Sequence, residues 1–224
     1  DMWEKFSSGM IMIDLMSDKH GRRMRKLRVS LLDACNFRCT YCMPQNATFA
    51  KTHDLLSVKE LFSIVSHLTQ LGIEEVRLTG GEPTLRAELL EITQELSKLP
   101  LKKLGITTNG FLLKKFLGDF KKTRLTSINV SLDSIEQNNF EALARHKGLK
   151  EVIQAIDSAV EMGFKVKINT VIMKENIHEV DGLLDFARQR NIEIRFLELM
   201  KIGVANNLYE ASHIPAAHLI HDLR

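Results

Sequence analysis

The sequence predicts an α/β fold, a partial (β/α)6 TIM-like barrel of parallel strands open along one side. Two observations lead there. After residue 26, short β-branched runs alternate with longer stretches of helical period, which is the pattern of parallel βα units. The polar and glycine-rich segments then fall where the strand candidates end, so they would share one rim. A curled sheet accounts for that better than a flat one, whose ligands occupy a single crevice. The length agrees, since 224 residues with 44% hydrophobic and 26% charged side chains can bury one full core.

The strand candidates are 26–32, 75–79, 103–107, 127–132, 165–173 and 191–199. Between the first two, Ser57-Val-Lys-Glu60 reads as a capping box. Val58, Leu61, Phe62, Val65, Leu68 and Leu71 then step by three and four, and Gly72 stops the helix. Leu85, Leu89, Ile92 and Leu96 repeat the period after the second strand. So do Leu149, Val152, Ile153, Ile156 and Val160 ahead of Gly163, and Val180, Leu183, Leu184 and Ala187. Residues 1–25 read as an N-terminal extension, 26–203 as the barrel, and 204–224 as the start of a truncated carboxyl-terminal region. His213, His218 and His221 are expected to be solvated residues of a terminal helix, not a metal site.

Charge excludes little but narrows the partners. A net charge of +3, from 31 basic and 28 acidic residues, is too mild to imply nucleic-acid binding. No stretch approaches the eighteen or so apolar residues needed to cross a bilayer, so no membrane is expected and a cytoplasmic location is the default.

The chemistry concentrates in Asp33-Ala-Cys-Asn-Phe-Arg-Cys-Thr-Tyr-Cys-Met-Pro44, which holds all three cysteines of the chain, Cys35, Cys39 and Cys42. Three thiolates so close together can hold three irons of a [4Fe-4S] cube and leave one iron open. An open iron can take the amino and carboxylate groups of S-adenosylmethionine (SAM) and pass an electron into its sulfonium, so the spacing reads as radical chemistry. A zinc site would want a fourth ligand, and the nearest downstream histidine, His53, lies in a polar segment. An odd number of cysteines speaks against a disulfide framework. Tyr41 and Phe37 are placed to shield a cluster from water. Gly80 and Gly81 provide a turn whose backbone can approach a ligand and offer it hydrogen bonds.

Arg28, Arg77, Lys167 and Arg195 fall inside otherwise apolar strand segments. Buried cations are costly unless paired, and Glu75, Glu193 and Glu198 are near enough in sequence to pair with them. Four cations on four strands converging on one lumen would instead hold a polyanion such as a triphosphate, with arginine giving forked contacts.

A set of segments carries a family resemblance from about residue 18 to 203. They are Gly21-Arg-Arg, Leu27-Arg-Val-Ser30, the cysteine segment, Arg77-Leu-Thr-Gly-Gly-Glu-Pro83, Thr107-Thr-Asn-Gly110, Asn129-Val-Ser-Leu-Asp133, Lys167-Ile-Asn-Thr-Val171 and Ile194-Arg-Phe-Leu-Glu-Leu-Met200. Together they resemble the radical SAM GTP 3',8-cyclases of molybdenum cofactor biosynthesis. The resemblance implies a [4Fe-4S] cluster on Cys35, Cys39 and Cys42, SAM as cosubstrate, an external electron donor and GTP as substrate. It assigns SAM contacts to Tyr41, Gly81, Ser131 and Met200, and nucleotide contacts to Arg28, Arg77, Thr108 and Lys167, with Arg195 a further lumen cation. A homodimer is a further expectation, because a barrel open along one side leaves an apolar edge.

Two departures stand out. Ala34 replaces the arginine usual before the first cysteine, which removes a charge beside the cluster. Family members also continue into a carboxyl-terminal part with a second three-cysteine cluster that ligates the guanine, whereas no cysteine follows Cys42 here. The sequence is therefore expected to hold the SAM half of the machinery with part of the substrate half. Two other readings stay open at this stage: a radical SAM enzyme acting on another substrate, and a non-catalytic iron-sulfur or zinc protein.

Overall fold

The computed structural model describes residues 17–44 and 46–222. Six strands, β1 (Lys26–Ser30), β2 (Glu75–Thr79), β3 (Lys103–Thr108), β4 (Leu125–Ser131), β5 (Lys165–Ile172) and β6 (Glu193–Glu198), form one sheet in chain order. Every pairing is parallel. Each predicted strand is present, with ends shifted by a few residues. The largest expected extension, 1–25, lies mostly outside the described residues.

The helices follow the apolar periods. In α1 (Val58–Gln70) the capping box is complete, because the Glu60 amide donates to Ser57 Oγ and the Ser57 amide donates to Glu60 Oε2. Gly72, at φ +112, takes the chain out of the helix through a conformation that costs other residues. Next come α2 (Leu89–Leu96), α3 (Leu117–Phe120), α4 (Gln137–Ala144), α5 (Leu149–Glu161), α6 (Val180–Gln189), α7 (Tyr209–Ser212) and α8 (Ala216–Asp222). Leu85, expected in α2, sits instead in a separate turn of 3₁₀-helix, Pro83–Leu85.

Strand alternation divides the sheet into two unlike faces. Leu78, Ile106, Ile128, Val130 and Ile168 are fully buried and share the main core with Val65 of α1, Leu89 and Ile92 of α2 and Val152 and Ile156 of α5. Truncating any of these leucines or isoleucines to alanine should cost about 2–5 kcal/mol. The residues between them face the other way, into a cavity of about 510 Å³ whose lining includes Lys26, Arg77, Lys103, Asn129, Lys167 and Arg195, one from each strand in turn. In a flat sheet β1 and β6 would stand about 24 Å apart, so a single cavity touching both requires the sheet to curl. Among the described residues β1 and β6 do not pair with each other, which leaves the barrel open between them.

The segment after 203 packs on the barrel. Leu219 of α8 is buried with Ile172 and Val180, and Ala205 is buried with Leu143, Met173 and Leu199. His213 corrects an expectation: it precedes α8, bridges to Met173, donates from Nε2 to Glu198 Oε1 (2.7 Å) and stacks on Tyr209 at 4.3 Å. His218 is solvent-exposed on α8 as expected, and the side chain of His221 lies outside the described residues. No helix among the described residues is long and apolar enough to cross a membrane.

Candidate active site

The loop after β1 carries the three cysteines and is fastened on both sides. Arg38 N donates to the Ala144 carbonyl (3.0 Å) and Thr40 N to that of Leu143 (2.9 Å), which ties the loop to the end of α4. Gly81 N donates to Leu32 O (2.7 Å) and Glu82 N to Ala34 O (2.8 Å), which ties it to the turn after β2. The approach is so close that a Cβ on Gly81 would stand 2.2 Å from Ala34 O and 2.3 Å from Asp33 O. The sequence predicts the glycine pair to be a backbone cradle for a ligand. Its amide at Gly81 is instead committed to the cysteine loop.

Cys35 and Cys39 are half-buried and Cys42 is exposed. Cys35 Sγ accepts from Phe37 N (3.4 Å) and Asn109 Nδ2 (3.8 Å). Burial raises all three thiols above their ordinary pKa, Cys39 most of all. The Glu82 carboxylate adds to this at Cys35, and that of Asp133 at Cys39 and Cys42. Cys42 is electrostatically coupled to both of the other thiols, so the three form one site that ionises readily only when it binds a cation. Backbone and amide donors on sulfur are also the contacts that tune iron-sulfur clusters.

A buried carboxylate, Glu82, and a half-buried one, Asp133, organise the rim, and sequence reading gave neither a role. Glu82 is 1% exposed and accepts from Thr84 N (3.0 Å), Thr84 Oγ1 (2.5 Å), Thr108 Oγ1 (2.6 Å) and Asn109 N (2.6 Å). Burial raises its pKa against those four donors. Asp133 accepts from Tyr41 Oη (2.7 Å) and Val171 N (2.8 Å), and its burial pushes the carboxyl up to about 6. Burial, followed by the Asp133 charge, holds Tyr41 well above the ordinary phenol. The available signal was position, since each acid closes a strand-end segment otherwise short of charge.

Beside the cysteines, Tyr41, Ser131, Asp133 and Asn109 line a small pocket with Cys39 and Phe37. Two of the four residues matched to SAM contacts, Tyr41 and Ser131, thus meet at the cysteine loop. Gly81 touches the loop through its backbone. Met200, 68% exposed, lies on the large cavity with the strand cations and not in this pocket.

The strand cations do converge. Arg28, Arg77, Lys167 and Arg195 line the large cavity together. They are not buried in apolar strands, because strand alternation turns them to the open inner face. Lys167 and Arg195 both pair with Glu193, the latter at 3.2 Å, so the expected local pairing is realised for these two. Arg77 lies flat across β3, donating to Ile106 O (2.9 Å) and to Ser127 Oγ (3.1 Å) on β4. Gly105 makes the space, since a Cβ there would stand 3.1 Å from Arg77 Nη2 and 2.7 Å from Ser127 O. Burial, and then the charges of Arg28 and Arg195, lower the Arg77 pKa, so this guanidinium gains from any incoming anion. Thr108 is the exception among the predicted nucleotide contacts. It is 2% exposed, on the helix-facing parity of β3, and its hydroxyl is used by Glu82 and the Gly110 amide (3.0 Å).

The lumen also holds polar atoms with no hydrogen-bond partner. Thr107 Oγ1, Asn129 Oδ1 and Asn169 Oδ1 are buried and unpaired, all on the inward parity of β3, β4 and β5. Buried polar groups are normally satisfied, so a row of three marks where a polar ligand would sit.

The comparisons with known proteins agree with this geometry. A family model described as the Radical SAM superfamily matches residues 29–187. The GTP 3',8-cyclase of Synechocystis sp. is 44% identical over 204 residues, covering 91% of this chain and 62% of that protein. That of Clostridium botulinum strain Okra is 38% identical, covering 92% of this chain and 66% of its own length. The chain thus spans a little under two thirds of these relatives. Among solved structures, Streptococcus suis SuiB bound to S-adenosylmethionine superposes with a TM-score of 0.71 over 80% of this chain and 41% of SuiB, at 22% identity, which is a likeness of fold. With the family model matched from β1 through most of α6, over the cysteine loop and the curled sheet behind it, the chain belongs to the Radical SAM superfamily.

Proposed function

We propose that the chain is the SAM-binding part of a GTP 3',8-cyclase, the activity that opens molybdopterin biosynthesis. The observation that carries this is a three-cysteine rim set above a lumen of converging cations and unpaired amides, in a chain so similar to curated GTP 3',8-cyclases. Cys35, Cys39 and Cys42 would hold three irons of a [4Fe-4S] cluster and leave the fourth to the amino and carboxylate groups of SAM. When bound and reduced, cluster and SAM would supply a 5'-deoxyadenosyl radical able to take the 3' hydrogen of GTP; the nucleotide radical left once C3' has joined C8 would then take one further electron from the external donor and a proton to give 3',8-cyclo-7,8-dihydro-GTP.

The residues of the chain bind, orient and shield. Asn109 and the Phe37 amide steady Cys35 by donating to its sulfur, and Tyr41, held by Asp133, walls the small pocket with Ser131. In the lumen, phosphate would replace Glu193 as the partner of Lys167 and Arg195 and draw in Arg28 and Arg77. The unpaired groups of Thr107, Asn129 and Asn169 lie ready for the hydroxyl and ring polar atoms of a nucleoside. An external one-electron donor and a cytoplasmic setting belong to this reading. So does self-association across the open edge, where Leu197, Met200 and Ile202 are exposed.

The test is anaerobic reconstitution with iron and sulfide, then dithionite and SAM, assaying 5'-deoxyadenosine with and without GTP. Deoxyadenosine that rises with GTP is expected. Cys39→Ala should abolish both the cluster's visible absorbance and the product, because two thiolates do not hold the cube. Metal-loaded protein that neither binds nor cleaves SAM would overturn the reading.

A further inference from the structure

Reductive cleavage of SAM consumes an electron that no group of this chain supplies, so, if the function proposed above holds, the cysteine loop must be reached from outside. One flank of that loop, at Cys35, is walled by aromatic rings. Phe37, whose amide donates to Cys35 Sγ, stacks on His146 at 4.5 Å, and His146 packs against Phe111 at 4.6 Å. The segment bearing His146 is fitted tightly there. Arg145 adopts φ +50, and a Cβ on Gly148 would stand 2.6 Å from the Phe111 ring. It is also joined to the cysteine loop through the hydrogen bond from Arg38 N to Ala144 O.

Around these rings the surface is basic. Lys114, Lys115, Arg145, Lys147 and Lys150 are all exposed, and none makes an ion pair among the described residues. Some surface cations elsewhere are matched, as Lys98 is by Glu95, Lys122 by Asp119, Arg188 by Asp185 and Lys201 by Glu210. The carboxylates in the same stretch are Glu141, which accepts from Gln137, and Glu151, which leaves an excess of positive charge. The amino end of α5 adds to it, because its N-cap is Gly148, with no capping side chain. Five exposed cations without an ion pair among the described residues thus lie in two short segments, 114–115 and 145–150, and the second adjoins the cysteine loop.

We infer that this flank is the docking face of an acidic one-electron carrier protein, with His146 and Phe37 lying between the carrier's redox centre and Cys35. The charges steer the partner and fix its orientation, and the rings keep the intervening layer thin. The balance is one electron. The carrier is oxidised by one and the cluster reduced by one, and no bond of this chain is made or broken.

The first measurement needs no turnover: binding of an oxidised, acidic flavodoxin to the metal-free chain, followed by fluorescence anisotropy. The dissociation constant should rise about tenfold between about 50 and 200 mM salt. Lys147→Glu with Lys150→Glu should weaken binding by at least about tenfold at low salt, whereas Lys59→Glu with Lys174→Glu, two exposed lysines elsewhere, should change it less than about twofold. In reconstituted protein the first pair should slow reduction by flavodoxin and leave reduction by dithionite, which needs no docking face, unchanged. Equal affinity for both double variants would overturn the inference, as would an equal loss with dithionite or tighter binding of an RNA oligonucleotide to the same face. Should flavodoxin dock here while neither reductant yields deoxyadenosine, the proposed function fails and the docking face stands.

Discussion

The rim and the lumen of this barrel treat polar groups in opposite ways. At the rim, Glu82 has four donors and Asp133 has two, and the turn amides of Gly81 and Glu82 are committed to the cysteine loop. In the lumen, Thr107, Asn129 and Asn169 leave polar atoms unpaired, and Arg77 has no carboxylate partner among the described residues. A saturated network is rigid and costly to break, whereas an unsaturated one loses little when a member is removed and gains when a ligand arrives. The rim therefore holds its geometry before any cofactor binds, and the lumen waits for its ligand.

If that contrast is right, substitutions at the two places should fail in different assays. The largest effect is expected at Glu82→Ala, which strands the donors of Thr84, Thr108 and Asn109 and should lower stability by about 3 kcal/mol or more. Urea unfolding of the metal-free chain measures it, and a loss below about 1 kcal/mol would remove the distinction. Asp133→Asn sharpens it through pH. The folded chain raises this carboxyl from 3.8 to about 6, so it holds the proton more tightly than the unfolded chain does. Stability should then fall as pH rises from about 4 to about 6 and level off above, at a cost of up to about 3 kcal/mol. Asparagine removes that fall, so the variant should melt higher than the parent above pH 6 and converge with it near pH 4; parallel melting profiles would exclude a buried charge at the rim. The smallest stability effect belongs to Lys167→Ala, whose ion pair faces an open cavity, at under about 1 kcal/mol. Its effect should appear in GTP affinity, weakened about 10- to 100-fold while SAM cleavage persists. Equal loss of both activities would make the lysine structural.

Much of this was legible because parallel strands with one buried face declare themselves twice, by β-branched composition and by parity. All six strands were located, and the cations at 28, 77, 167 and 195 stand at odds with their apolar neighbours in a way that points them to one face. The same parity would have warned about Thr108, which shares the helix-facing side with Leu104 and Ile106. Its family assignment obscured that. α4 escaped notice because its first turn, Gln137-Asn-Asn, is polar and its buried residues are only Phe140, Leu143 and Ala144. Glu82 and Asp133 were hidden for another reason: what makes them important is who donates to them, and Thr108 Oγ1 and Val171 N come from the next strand in the sheet, 26 and 38 residues away in sequence. Local pattern cannot report a hydrogen bond across the sheet.

Gly105 gives the lumen a property that none of its charged residues has alone. Because β3 presents a bare backbone at this position, a cation rooted on β2 delivers its charge to β4, one strand beyond its neighbour. The charge of Arg77 is thereby carried from the second strand toward the middle of the sheet. Where an anionic ligand comes to rest is decided, in part, by a side chain that is one hydrogen atom.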